Sequence, residues 1–125
     1  MTDSTITMER DHELISSARV EGTPVFTADG ERVGHVKEVM LHKKSGQIAY
    51  AVMSFGGFLG IGERYHPLPW DALDYDTKKH GYVVSVDKEA LRNAPTIGPE
   101  ESERLLDRGY LSGIYDYYGS APYWM

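Results

Sequence analysis

Cysteine is absent from this 125-residue chain. That removes disulfides, thiolate metal sites and cysteine nucleophiles together, and it fits a cytoplasmic location. Positive charge is also in short supply, with thirteen Lys and Arg against nineteen Asp and Glu and a net charge of −6. Broad nucleic-acid binding needs a basic footprint that displaces counterions, so direct nucleic-acid contact is disfavoured. Long apolar runs are missing: no stretch approaches the ~20 residues of a membrane span. Residues 1–14 mix charge and hydroxyls without the apolar segment of a secretory signal. The five histidines, His12, His35, His42, His66 and His80, lack the i, i+4 spacing of a zinc protease and form no short cluster, so no metal or other cofactor is expected.

What is present is ordinary in bulk, 41% hydrophobic and 26% charged, which suits one domain with tails. Residues 1–15 read as a polar N-terminal segment, 16–93 as the folded domain, and 94–125 as a C-terminal helix and Tyr-rich tail. Residues 22–36 read as strand, turn, strand, with Asp29-Gly30 as the hairpin dipeptide. Beyond it the alternation of Val33, Val36, Val39, Met40 and Leu41 loses phase around Lys37-Glu38, which predicts a bulge or bend. A helical reading of 33, 36 and 40 is weakened by Gly34 and the valines.

Residues 47–55 predict a strand with Ile48, Tyr50 and Val52 on one side and Ala49, Ala51, Met53 and Phe55 on the other. Apolar residues on both sides mean that both faces are covered. Short strands follow at 64–69, 73–75 and 82–86, so the close-spaced turns predict a small barrel or sandwich. Asp87 can cap a short helix through Leu91. Pro99 can open a second through Arg108, with Gly109 just past its end. Residues 110–125 hold five of the nine tyrosines and Trp124, too aromatic for a solvated tail.

The most distinctive stretch is 54–70, where Gly56, Gly57, Gly60 and Gly62 are interleaved with Phe55, Phe58, Leu59 and Ile61 before Pro67 and Pro69. Flexible linkers are polar, and a helix would lose about 1 kcal/mol at each glycine and about 3 at each proline. The run is therefore a shaped apolar loop that either plugs a barrel or presents a contact surface. Its glycines do not make a phosphate loop, since Glu63-Arg64 and then prolines follow instead of Lys-Ser/Thr and a helix. Ser54 lacks the Gly-x-Ser-x-Gly elbow, and no nucleophile, base and oxyanion set emerges, so the chain does not read as an enzyme. Lys43-Lys44 and Lys78-Lys79 solubilise two turns, or form a local basic patch.

Three pieces, residues 30–39 (Gly-Glu-Arg-Val-Gly-His-Val-Lys-Glu-Val), residues 46–52 (Gly-Gln-Ile-Ala-Tyr-Ala-Val) and the apolar loop ending in Pro67-Leu68-Pro69-Trp70, resemble in order and spacing the PRC-barrel family over residues 16–93. They look like its stand-alone bacterial members. The family includes the cytoplasmic domain of the photosynthetic reaction-centre H subunit and the C-terminal domain of a ribosome maturation factor. The resemblance implies a mainly β protein, a small PRC-type β-barrel with short C-terminal helices, acting by contact with macromolecules and not by catalysis.

The leading functional expectation is thus a non-catalytic adaptor that binds a protein partner and forms a homodimer. Phe58, Leu59, Ile61, Tyr65, His66 and Trp70 are its candidate contact residues, with Tyr115, Tyr117, Tyr118 and Trp124 as a second surface. Two other classes stay open. One is a small-ligand or metal-ion domain built on the glycine-rich loop and His66. The other, by family analogy alone, is a ribosome- or RNA-associated factor.

Overall fold

The computed structural model describes residues 13–55 and 64–125. A one-turn helix α1 (Ser17–Val20) precedes β1 (Pro24–Phe26), β2 (Arg32–Leu41), β3 (Ile48–Phe55) and β4 (Arg64–Pro69). A 3-10 turn (Trp70–Ala72) leads into β5 (Leu73–Asp76) and β6 (Gly81–Val84). After these come α2 (Lys88–Arg92), a 3-10 segment (Pro99–Leu106) and α3 (Arg108–Tyr118). The six strands form one sheet in the order β4-β3-β2-β1-β6-β5, antiparallel except for β1 beside β6. Strands β4 and β5 lie at opposite edges, yet only three residues join them, a reach of about 10 Å. The sheet must therefore curl until its edges approach one another, which makes the half-barrel expected of a mainly β PRC-type fold.

Local chemistry explains the strands. Gly30 takes φ +91° and donates its N–H to the Thr27 carbonyl at 2.9 Å, while the Thr27 N–H reaches the Glu31 carbonyl at 2.9 Å. The Asp-Gly turn expected there does close the β1–β2 hairpin. In the β2–β3 ladder the register shifts between Val36 and Glu38. Lys37 is thus the extra residue of a bulge, at the point where the sequence alternation loses phase. At Gly34 the two strands come so close that an added Cβ would press on the Ser54 carbonyl oxygen.

Strand β3 serves two cores. Ala51 and Met53 join Val25, Val36, Leu68, Val84 and Leu91 inside the curled sheet. Tyr50 and Val52, pointing the other way, join Ile97, Leu105, Leu111, Ile114 and Tyr115 beneath the C-terminal helices. The expectation of a strand covered on two faces is met, and the outer cover is the C-terminal segment itself.

That segment departs from the sequence reading in one respect. The helix from Pro99 does not run through Arg108 to stop at Gly109. It is a 3-10 segment with a kink at Glu101 (φ −110°, ψ 26°) that ends at Leu106. Asp107 then caps a new helix, its carboxylate accepting from the Gly109 N–H at 2.9 Å. Gly109 therefore lies inside the first turn of α3, and the true terminator is Gly119 at φ 68°. Leu111, Ile114 and Tyr115 form the i, i+3, i+4 stripe that holds α3 on the sheet. Burying each of the two aliphatic side chains contributes about 1.5–3 kcal/mol. The α2 cap is as expected, with Asp87 accepting from the Ala90 N–H at 2.9 Å.

Candidate interaction surface

Strand alternation separates the two neighbouring candidates on β4. Tyr65 lies on the outer face, half-buried, with Lys37 Nζ 5.2 Å from its ring centroid. Its backbone exchanges hydrogen bonds of 2.9 and 3.0 Å with Ile97, which clips the segment after α2 to this edge. The next residue must turn the other way. His66 is opposite Met53 in the register, edge-on to Phe55 at 5.0 Å, and only 1% exposed. The pleat thus corrects the expectation of His66 on an outer surface. Burial, with the positive charge of Arg64 adding, holds its pKa down at about 4, so the ring is neutral at pH 7. Among the described residues its Nδ1 has no hydrogen-bond partner.

Phe58, Leu59 and Ile61 lie outside the described residues. Trp70, half-buried, opens the 3-10 turn and tilts against Tyr82 at 5.4 Å. The C-terminal aromatics divide by depth. Tyr115 is buried, its hydroxyl donating to the Ala49 carbonyl at 3.0 Å. The Tyr118 hydroxyl is also buried, and burial raises its pKa further than any other cause. Tyr117 is 41% exposed although its hydroxyl donates to the Ala90 carbonyl at 2.6 Å. Trp124 packs edge-on to Tyr115 at 5.8 Å, with the Arg108 guanidinium 5.0 Å from its ring. This set therefore docks in cis, and α3 with its following segment is bound to its own sheet.

One accessible apolar surface joins Trp70 to residues that the sequence reading did not single out. Leu14 is 70% exposed, Ile15 37% and Tyr75 39%. With Pro24, Trp70 and Tyr82 they line a groove of about 770 Å³. The groove borders β5, an edge strand. The Ser85 N–H donates to the Ala72 carbonyl at 2.9 Å. By the two-residue alternation of antiparallel bonding, Asp74 and Asp76 bond toward β6, whereas the backbone groups of Leu73 and Tyr75 point away from it. Among the described residues no strand pairs with that side of β5. Such an edge can accept an added strand.

Chemistry is sparse by comparison. Among the described residues no three His, Asp or Glu side chains gather in a group that could hold a metal ion. Likewise, no described helix is long and apolar enough to cross a membrane. Comparison with curated proteins gives no match. The model of the PRC-barrel domain matches residues 12–91. With well over half of its length matched, and with a curled six-stranded sheet under those residues, the chain belongs to the PRC-barrel domain family.

Proposed function

We propose that this protein is a non-catalytic adaptor of the cytoplasm that works by protein–protein contact, and that its first partner is a second copy of itself. PRC-barrel domains in general mediate protein interactions and are non-catalytic, which supports the class. The observation that carries the specific reading is the coincidence of exposed Leu14, Ile15 and Tyr75 with the edge strand β5. Apolar side chains beside an edge strand offer burial, and the outward-facing backbone groups of Tyr75 offer directional hydrogen bonds to an incoming chain. In this reading the groove, which includes Trp70 of the first candidate set, carries the contact, while the second candidate set of C-terminal aromatics packs in cis.

Sedimentation velocity over a concentration series tests the reading. The wild type should sediment as a dimer, and Leu14→Glu with Tyr75→Glu should sediment as a monomer with an unchanged far-UV circular dichroism spectrum. A wild type that stays monomeric throughout, or a double variant that still dimerises, would overturn the assignment of this face.

A further inference from the structure

A second recess, of about 400 Å³, opens on another side of Trp70. It is walled by His42 and Gln47 from the β2–β3 turn, Trp70 and Asp71 from the 3-10 turn, and Tyr115 and Tyr123 from the C-terminal segment. Three regions far apart in sequence meet here, and the last wall depends on the end of α3. Gly119 in the left-handed region stops the helix and turns the chain. Tyr123 then sits 6.3 Å from the His42 ring and 5.0 Å from that of Trp124, edge-on to the latter. Asp71 lies near enough to the Tyr115 hydroxyl for its charge to add to the effect of burial in raising that hydroxyl's pKa.

Four aromatic rings among the described residues carry a cation of the chain. Lys37 stands over Tyr65, Lys79 over Phe26, Arg104 over Tyr110 and Arg108 over Trp124, all with 5.0–5.5 Å to the ring centroid. Among the described residues no Lys or Arg of the chain covers Trp70 or Tyr123, and none pairs with the Asp71 carboxylate. An anion would meet Asp71 and the negative ring faces and be repelled. A neutral apolar guest would leave the carboxylate unused. A small cation with an apolar shell satisfies both features, because ring faces attract positive charge and a carboxylate neutralises it. The volume falls in the range of small-ligand sites, and a net charge of −6 draws cations toward the surface.

We propose that this recess binds an organic ammonium group, held between the rings of Trp70 and Tyr123 and neutralised by Asp71. The group could belong to a free small molecule or to a lysine side chain of a partner, and the two sources share one chemistry. The proposal is independent of the dimer assigned to the groove beside β5.

The test is a fluorescence titration of the full chain in a Trp124→Phe background, so that Trp70 alone reports, at ionic strength held constant with NaCl. The probes are choline, its neutral isostere 3,3-dimethylbutan-1-ol, and Nα-acetyl-lysine amide with and without Nε-trimethylation. At least one cation should saturate the signal, with the neutral isostere about tenfold weaker or worse. Asp71→Asn and Tyr123→Leu should each weaken that cation about five- to tenfold while leaving the thermal midpoint unchanged. Tighter binding of choline than of the lysine amides would identify a free ligand, and the reverse a partner side chain. Equal binding of the neutral isostere, indifference to Asp71→Asn, or no saturation by any of the cations would overturn the proposal.

Discussion

Acid should unfold this protein through a residue that its surface never shows. His66 has an unfolded-state pKa of 6.5 and a folded-state value of about 4. Burial penalises the charged ring, Arg64 repels it, and among the described residues Nδ1 finds no acceptor to share a proton with. Between these two values the unfolded chain binds a proton that the folded chain refuses, so stability must fall as pH drops. The contribution is fully present above 6.5 and declines as pH falls from 6.5 toward 4. Near pH 5 the loss is about 2 kcal/mol, and it approaches about 3 kcal/mol at pH 4. Carboxylates add their own acid sensitivity, so the measurement is a double difference. Urea unfolding of wild type and His66→Leu is compared at about pH 7 and about pH 5. Because the substitution removes an unsatisfied buried nitrogen in exchange for a side chain of similar volume, it should change stability at pH 7 by only about 1 kcal/mol. The leucine variant should then lose about 2 kcal/mol less than wild type on acidification. Equal losses in the two proteins would show that the ring is solvated or paired in solution and would refute the reasoning.

Other outcomes follow from packing. Gly34→Ala places a Cβ against the Ser54 carbonyl oxygen, which should cost about 1–3 kcal/mol and lower the thermal midpoint by roughly 5–10 °C. An unchanged midpoint would mean that β2 and β3 separate at little cost. Leu111→Ala, at a position 1% exposed, should destabilise by about 2–5 kcal/mol in urea titrations. The 76% exposed Leu106 is the matched control, and its alanine variant should lie within about 0.5 kcal/mol of wild type.

Much of the barrel was legible from neighbouring residues. The phase slip at Lys37, the turn at Asp29-Gly30, the doubly apolar strand through Tyr50 and Met53 and the cap at Asp87 are all local signals. Helix α3 was hidden by a conflict of local signals. Gly109 and Gly113 resemble breakers, yet the stripe of Leu111, Ile114 and Tyr115 and the cap at Asp107 outweigh them once a sheet stands ready to receive the stripe. The spacing of that stripe could have revealed the helix. His66 was misplaced outward because its exposure depends on the phase of β4 relative to Met53, a matter of register and not of composition. The surfaces were the least legible part. Leu14 and Ile15 sit at the end of a polar stretch, and Tyr75 alternates with aspartates. Only the strand order, which puts β5 at an edge, brings them to one groove. The ammonium recess needs residues more than seventy positions apart, which no local pattern encodes.

The strand shared by two cores has a consequence for how this sequence can vary. A strand with one wet face can exchange every second residue almost freely, and drift accumulates there. From Tyr50 to Ser54 every position of β3 is buried, so neither parity offers such latitude. A change at Tyr50 or Val52 is felt by the C-terminal helix, and a change at Ala51 or Met53 by the barrel interior. The C-terminal segment is thus bound into the history of the barrel: as long as β3 keeps large apolar residues on its outer side, α3 must persist to cover them.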